Sequence, residues 1–271
     1  MRRWILVGLL LVSWCCQAEP PVEECERDLL STIEARQSLI IGVKQNSPPF
    51  SLRDKDGIYV GLEPDLARAI GVYILGDDAR VVFKPLDVQQ RLSALESGEV
   101  DLVIATFSIT PARNTRVSFS QPYFFTHQGV LVDRKQAVRL TDLKGKTVFV
   151  VQGSNSASAF FELQPETHII TVEDYEEAVR RLHAGEAAGL SSDMEILTKL
   201  APRLGEEFWI LPEHLGRQEY AVGVLKSARS AGLLFVVNQA MDHMIAHGFI
   251  QKLVSENFKR YAPELAGLVS N

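Results

Sequence analysis

Short apolar runs alternate with longer segments of helical periodicity through the first half of the chain. The runs are apolar on both faces, as in parallel strands that helices cover on both sides. They predict strands at 39–43, 81–83 and 102–105. Residues 64–75 have the period of an amphipathic helix, and Asp87 with Gln90 has the spacing of a capping box at the start of another helix. This order of strands and helices predicts a parallel α/β sheet.

The same alternation restarts in the second half of the chain. Apolar runs there predict strands at 147–151, 169–172, 187–190, 208–211 and 220–225. Ser154 and Asp174 are predicted N-caps of the helices after the first two of these strands, and Ser191-Ser192-Asp193 is predicted to open another helix. The C-terminal segment predicts a helix at 228–247 and a last helix to about residue 258.

Two strand-like stretches, 123–132 and 218–224, are predicted to join the halves. The fold class is therefore α/β with two lobes, each a mainly parallel sheet flanked by helices, joined by two hinge strands. The predicted boundaries place lobe 1 at 37–124 and 223–271 and lobe 2 at 125–222. A cleft between two such lobes is a natural ligand site, because ligands bind at the carboxyl ends of parallel strands.

The N-terminus has the layout of an export signal. Two arginines precede a short apolar run at 4–14, and Cys-Gln-Ala follows it. This predicts a signal peptide at 1–18 that is cleaved after Ala18, followed by a leader segment at 19–36. A retained anchor helix is the alternative. Cleavage would leave Cys25 as the only cysteine and would exclude an internal disulfide.

Composition narrows the classes of function. The chain has 271 residues, 46% hydrophobic and 23% charged, with a net charge of −6, which argues against nucleic acid as the main partner. There is no glycine-rich phosphate loop and no histidine paired with a nucleophile motif. His243 and His247 lie four residues apart, but no glutamate follows in the order of a zinc protease, so a solvated helix face is the simpler interpretation. We predict no catalytic residue, no metal and no cofactor.

A cation occupies an unfavourable position after the strand at 102–105. Thr110 is a predicted N-cap and Pro111 the first helical residue, which places Arg113 in the first turn, where the helix dipole disfavours a positive charge. An anion would resolve this conflict, because free backbone N–H groups, the hydroxyls of Thr106 and Ser108 and the Arg113 guanidinium could all bind one carboxylate. The alternative is an exposed arginine in a short solvated helix.

Two further cations occupy comparable positions. Lys44 directly follows the first strand, and Arg91 lies in the first turn of the helix that Asp87 precedes. Each alone is more typical of a solvated surface charge. Together with Arg113 they would converge on one cleft, and this repetition favours an anion site.

The second lobe offers a hydroxyl group and a carboxylate. Ser154 can add a hydroxyl and backbone N–H groups to an anion, and Asp193 can accept hydrogen bonds from an ammonium group, although it could equally cap the helix that follows. Phe50 and Phe107 are candidate walls of the site. The alternative for both aromatic residues is the hydrophobic core.

Several motifs together carry a family resemblance over roughly residues 39–258. They are GVKQNSPPF, GLEPDLARAI, LESGEVDLVIATFSITPAR, FSQPYFFTHQ, DLKGKTVFVVQGS and YAVGV. With these motifs the chain resembles the family-3 extracellular solute-binding proteins, the periplasmic amino-acid-binding proteins of ABC uptake systems. The resemblance implies a type II periplasmic binding-protein fold, in which two lobes close over one ligand, and a location in the periplasm.

The resemblance also implies roles for individual residues. Arg113 would clamp the ligand α-carboxylate, Thr106 and Ser108 would hold ligand polar groups, Ser154 would add a contact from the other lobe, and Asp193 would take the α-ammonium group.

Within the family the chain looks most like the glutamate/aspartate binders. Lys44 and Arg91 match positions where those proteins place basic residues against the side-chain carboxylate. Val88 and Tyr175 depart from the patterns of relatives, and Tyr175 stands where some acidic-amino-acid binders have a histidine. These two departures leave open whether aspartate or glutamate fits the side-chain pocket.

The predicted function is a monomeric, non-enzymatic periplasmic receptor that captures an acidic L-amino acid and delivers it to a membrane ABC permease. One alternative is an enzyme similar to cyclohexadienyl dehydratases, in which Arg113 would hold a carboxylate and Asp193 or Glu173 would take part in proton transfer. Another is a ligand-sensing module for a signalling receptor.

Overall fold

The computed structural model describes residues 28–164 and 166–269. The predicted signal peptide at 1–18 and the first part of the leader at 19–36 lie outside these residues. Within the described part, no helix is both long and apolar enough to cross a membrane.

The strands and helices alternate as the sequence predicts. The strands are β1 (Ser38–Val43), β2 (Asn46–Ser47), β3 (Ser51–Arg53), β4 (Tyr59–Val60), β5 (Arg80–Pro85), β6 (Leu102–Val103), β7 (Val117–Asp133), β8 (Thr147–Val151), β9 (His168–Val172), β10 (Gly189–Asp193), β11 (Phe208–Ile210) and β12 (Gly216–Leu225). The helices are α1 (Leu29–Arg36), α2 (Leu62–Leu75), α3 (Gln90–Glu96), α4 (Pro111–Asn114), α5 (Ser156–Leu163), α6 (Tyr175–His183), α7 (Met194–Leu204), α8 (Ala231–Ala246) and α9 (Phe249–Tyr261).

The main sheet has the order β5-β1-β6-β12-β7-β10-β8-β9, with β11 also paired to β7. At one end β1 is parallel to β5 and β6, and at the other β8 is parallel to β9 and β10. The two middle strands, β7 and β12, are antiparallel to each other. The α/β fold with parallel strands in each half and two connecting strands is therefore confirmed. The two predicted sheets form one continuous sheet, because β12 pairs with β6 of the first half, β7 pairs with β10 of the second half, and β7 and β12 pair with each other.

The hydrophobic core is divided in the same way. One large cluster joins β1 and α2 to the C-terminal helices α8 and α9, so the C-terminal helices pack on the first half of the chain, as the sequence predicts. A separate cluster joins α6 and α7 to β8 and β10. We use the predicted ranges as names: lobe 1 for 37–124 with 223–271, and lobe 2 for 125–222.

Local capping chemistry explains several boundaries. The Thr110 hydroxyl accepts a hydrogen bond from the Arg113 N–H at 3.2 Å, and Pro111 is the first helical residue, as predicted. Asp174 caps α6 through the Glu177 N–H. The N-terminus of α2 needs Gly61, since a Cβ there would lie 2.6 Å from the carbonyl oxygen of Phe50.

Three predicted helix starts are wrong by one to three residues. Helix α3 begins at Gln90 and not directly after Asp87, although the Gln90 side chain does accept from the Asp87 N–H at 2.8 Å. Ser154 is not an N-cap, because α5 begins at Ser156 and Asn155 precedes it.

The third wrong start concerns the segment around Asp193. Ser191 and Asp193 belong to strand β10 and not to a helix, since β10 pairs with β7 along its whole length and the Ser191 hydroxyl donates to the Gly129 carbonyl. Tertiary pairing satisfies the polar groups that locally favour a helix start.

Candidate ligand site between the lobes

A small cavity lies between the lobes, at the carboxyl ends of β1, β6 and β10. Seven of the ten predicted site residues line it: Lys44, Arg91, Thr106, Ser108, Ser154, Tyr175 and Asp193. Val88 and Ile196 complete its apolar part, and Asn155, Ser156 and Ser192 add polar groups. Its volume is about 10 Å³, the space of roughly one water molecule. Arg113, Phe50 and Phe107 lie outside this lining.

The lobes touch at Gly153, in the segment after β8. The Gly153 carbonyl accepts hydrogen bonds from Arg113 Nη2 at 3.0 Å and Arg91 Nη2 at 3.2 Å, both from lobe 1. A Cβ at Gly153 would lie 2.6 Å from Gln89 Cα, and φ is +76°. Only glycine allows this approach of the two lobes without displacement of the backbone.

Arg113 reaches the rim of the cavity from α4. Its guanidinium lies 4.8 Å from the centre of the Phe107 ring, and Nη1 donates to the Ser108 carbonyl at 2.8 Å. Burial, and then the charge of Arg91, lower the pKa of Arg113 to about 9, so the group is charged at neutral pH. Of its five N–H groups, three donate to no acceptor in the described part of the chain. Those three can bind a carboxylate.

Arg91 uses more of its N–H groups in hydrogen bonds within the protein than Arg113 does. Its Nε donates to the Val88 carbonyl, Nη1 donates to the carbonyls of Ala105 and Thr106 at 3.0 and 2.9 Å, and Nη2 donates to Gly153. Four of its five N–H groups therefore serve backbone carbonyls. Arg91 lines the cavity as predicted, but most of its hydrogen-bonding capacity organises the surrounding loops.

Lys44 is the cation of the cavity whose ammonium group makes no hydrogen bond to the described part of the protein. Its side chain follows β1 and is 7% exposed, and Nζ lies 5.9 Å from the centre of the Tyr175 ring. Within residues 28–164 and 166–269, Nζ donates no hydrogen bond and forms no ion pair. Burial and the nearby Arg91 lower the pKa of Lys44 to about 8, partly offset by the carboxylates of Glu63 and Asp193. A ligand acceptor placed here would satisfy a buried ammonium group.

Asp193 supplies the complementary acceptor. One carboxylate oxygen, Oδ2, accepts from the Tyr220 hydroxyl, whereas Oδ1 is buried and has no hydrogen-bond partner in the described part of the chain. The carboxylate does not cap α7, which was the alternative role. Burial raises the pKa of Asp193, and the nearby cations Lys44, Arg91 and Arg113 oppose that rise. An ammonium group at Oδ1 would complete its hydrogen bonding.

Tyr175 closes the side-chain end of the cavity. Its hydroxyl lies 2.9 Å from Ser192 Oγ, and burial raises its pKa to about 12, so it stays neutral. Beyond Tyr175 the cavity adjoins a wider cleft of about 420 Å³. Lys44, Val88, Tyr175 and Ile196 line both spaces.

The two predicted aromatic walls lie mainly in the core. Phe50 is 1% exposed and packs edge-on against Phe124, Tyr220 and Phe258, with one side on the wider cleft. Phe107 is equally buried and supports the guanidinium groups of Arg91 and Arg113 at 5.0 and 4.8 Å. Its contact with the site is therefore through the two arginines.

Glu63 is one of the buried acids that the sequence did not single out. Glu63, in the first turn of α2, is fully buried and accepts from the Thr106 N–H at 2.5 Å and the Tyr123 hydroxyl at 2.7 Å. Burial raises its pKa to about 7. An acid in a first helical turn satisfies the helix dipole, so the sequence carried no signal of conflict there.

No group of three or more histidine, cysteine, aspartate or glutamate side chains in the described ranges is arranged to hold a metal ion. His243 and His247 lie with their rings tilted and the ring centres 4.3 Å apart at the exposed end of α8. They lie on lobe 1 outside the cavity lining.

Comparisons with known proteins agree with this geometry. The glutamine-binding protein of Geobacillus stearothermophilus is 32% identical over 204 residues, which are 74% of this chain and 78% of that protein. The glutamate-binding protein GluB of Corynebacterium efficiens is 30% identical over 241 residues, 84% of this chain and 81% of that protein. Among solved structures, the solute receptor for L-cysteine of Neisseria gonorrhoeae superposes with a TM-score of 0.78 at 25% identity, covering 89% of this chain and 96% of that one.

A sequence model of one family spans nearly all of the two lobes. It describes the bacterial extracellular solute-binding proteins, family 3, and it matches residues 39–260. With the two-lobe α/β fold and a polar cavity at the strand ends, this match establishes that the chain belongs to family 3 of the bacterial extracellular solute-binding proteins.

Proposed function

We propose that this protein is a periplasmic receptor that binds an acidic L-amino acid, glutamate or aspartate, between its lobes and delivers it to an ABC permease. The relatives described above are binding proteins for glutamine, glutamate and cysteine, which supports an amino-acid ligand. The single observation that carries the acidic specificity is Lys44, a residue only 7% exposed in the cavity lining, whose ammonium group has no protein acceptor in the described residues.

The α-ammonium and α-carboxylate groups of an amino acid fit the other charged groups of the site. The α-ammonium group would donate to Asp193 Oδ1, and the α-carboxylate would accept from Arg113, Ser108 and Thr106. Both matches are charge-assisted hydrogen bonds in a desolvated site. The cavity as it stands holds about one water molecule, so a whole amino acid requires the lobes to move apart. The side chain then extends toward Lys44 and Tyr175, where a carboxylate would pair with the free ammonium group.

The total charge of the site leads to the same ligand class. Lys44, Arg91 and Arg113 face two buried carboxylates, Asp193 and Glu63. Burial raises the pKa of Glu63 to about 7, and that of Glu195, near Asp193, likewise, so both acids are only partly charged at neutral pH and the cations remain in excess. Glutamate and aspartate carry a net charge of −1. A basic amino acid would place a like charge beside Lys44, which costs several kcal/mol.

We infer that the site binds without catalysis. Asp193 Oδ2 is engaged by Tyr220, and Glu173 lines the wider cleft and not the cavity. Among the described residues, Asp193 is the one acid in the cavity lining, and its free Oδ1 is assigned to the α-ammonium group of the ligand. Monomeric state, periplasmic location and the permease partner belong to the same proposal.

Isothermal titration calorimetry of the mature chain tests the ligand class. L-glutamate, L-aspartate, L-glutamine, L-arginine and L-cystine are titrated at pH 7. We expect one site per chain, with glutamate or aspartate bound tightest and at least about 30-fold more tightly than glutamine. Tighter binding of glutamine, cystine or arginine would overturn the acidic specificity. Formation of phenylpyruvate from prephenate would overturn the non-enzymatic role.

A further inference from the structure

Thr106 holds an unusual backbone conformation at the edge of the cavity. Its φ is +45°, and in the described part of the chain only one other non-glycine residue, Gln37, has a positive φ. The left-handed region is especially unfavourable for a β-branched side chain. Such a conformation persists only where the surrounding structure enforces it, and it is typical of functional sites.

Two buried charged side chains hold the peptide groups on either side of Thr106. Glu63 Oε1 accepts from the Thr106 N–H at 2.5 Å, and Arg91 Nη1 donates to the Thr106 carbonyl at 2.9 Å. Glu63 is itself fixed by the Tyr123 hydroxyl at 2.7 Å. The three side chains come from α2, α3 and β7, so three separate elements converge on one strained residue.

The strained residue sets the position of the groups that follow it. Thr106 and Ser108 both line the cavity, and the Ser108 carbonyl accepts from Arg113 Nη1 at 2.8 Å. A relaxed backbone at Thr106 would rotate the following peptide. It would move Ser108 and the carbonyl that orients Arg113 away from the ligand.

We propose that Glu63 is a positioning residue of the ligand site, which holds Thr106 in the left-handed conformation and thereby aims Thr106, Ser108 and Arg113 at the α-carboxylate of the ligand. The inference rests on the proposed function only in that the ligand is an amino acid. It does not depend on the side chain of that ligand. Glu63 need not touch the ligand, and Oε1 acts through the peptide N–H of Thr106.

A double-mutant cycle between Glu63→Ala and Thr106→Gly separates this role from a general structural one. Glycine adopts a positive φ without support. With glycine at position 106, the hydrogen bond to Glu63 is no longer needed to hold this conformation. We expect Glu63→Ala to lower the affinity for L-glutamate at least tenfold in the wild-type background and less than threefold in the Thr106→Gly background. Equal losses in both backgrounds would overturn the proposal.

The two probes L-glutamate and L-glutamine give a second readout. Because Glu63 acts, through Thr106, at the α-carboxylate end of the ligand, Glu63→Ala should lower the affinity for both amino acids by the same factor. A loss confined to glutamate would mean that Glu63 acts through the charge of Lys44, which would overturn the proposal. If the wild type binds neither amino acid, the proposed function fails. The thermal unfolding midpoints of the wild type, the two single variants and the double variant still test whether Glu63 holds the conformation of Thr106. Additive shifts of these midpoints would contradict it.

Two further variants guard against misfolding. Glu63→Gln keeps an acceptor for the Thr106 N–H, so it should retain affinity within about threefold and remain measurable if the alanine variant fails to fold. A loss as large as that of Glu63→Ala would contradict a role through this hydrogen bond.

Asp65→Asn is the matched control, since Asp65 lies in the same first turn of α2 but forms hydrogen bonds with Arg68 and Asn257 away from the cavity. It should leave both affinities within about twofold, and a larger loss would show that the effect is not specific to Glu63.

Discussion

Replacing Arg113 with alanine is expected to lower the affinity for L-glutamate by roughly 30-fold or more, since removing one partner of a desolvated charge pair costs about 2–5 kcal/mol. The guanidinium is held between the Phe107 ring and the Ser108 carbonyl, and three of its N–H groups have no acceptor in the described residues. The α-carboxylate would be left in a desolvated site without its main donor. Calorimetric titration of the variant measures the effect.

The matched control is Arg116→Ala. Arg116 lies two residues after the same short helix, but its guanidinium is about half exposed and pairs with Glu96 on the surface. Exposed ion pairs contribute little, so the affinity should change by less than about twofold. Comparable losses in the two variants would mean that Arg113 does not act through a direct contact with the ligand.

Replacing Lys44 with glutamine is expected to abolish the preference for glutamate over glutamine. The ammonium group is the buried cation of the cavity without a protein acceptor in the described ranges, and an amide cannot supply its charge. Glutamate should lose about 30-fold or more, as for other buried charge pairs. Glutamine should change by less than about fivefold, because an amide can still donate to its side-chain oxygen. Titration of both amino acids gives the ratio.

The pH dependence of binding is a second readout of the same residue. Burial lowers the pKa of Lys44 in the free protein to about 8, so its charged fraction falls from about nine-tenths at pH 7 to about one-tenth at pH 9. A bound carboxylate favours the protonated form and raises this pKa, so binding above pH 8 takes up a proton. The glutamate-to-glutamine affinity ratio should therefore fall about tenfold between pH 7 and pH 9.

Lys55→Gln is the control for both readouts. Lys55 lies in the exposed turn between β3 and β4, away from the cavity, so the ratio and its pH dependence should stay unchanged. A wild-type ratio that does not vary with pH, or that Lys44→Gln leaves intact, would remove Lys44 from the recognition of the ligand side chain.

Much of the fold could be predicted because local signals and tertiary packing agree. The apolar runs at 39–43 and 147–151 are buried strands, and the Thr110-Pro111 cap has the expected geometry. The failures arise where pairing partners distant in sequence decide the structure. The polar sequence at 191–193 continues a strand because β7 lies beside it, and the two halves share one sheet because β7 and β12 are long.

The site was predictable where a residue breaks a local rule. Arg113 and Arg91 conflict with helix dipoles, and Lys44 and Asp193 follow predicted strands, so each stood out in the sequence. Glu63 breaks no rule at its position, and the positive φ of Thr106 has no marker such as glycine. Nor can a sequence show that Arg91 uses most of its donors on carbonyl groups of the backbone.

The most direct test of the central claim is a crystal structure of the mature protein with L-glutamate. The account predicts one glutamate between the lobes, with its side-chain carboxylate within about 3 Å of Lys44 Nζ. Its α-carboxylate should accept from Arg113, and its α-ammonium group should donate to Asp193 Oδ1. A glutamate whose side chain points away from Lys44, or that binds outside the cavity, would contradict it.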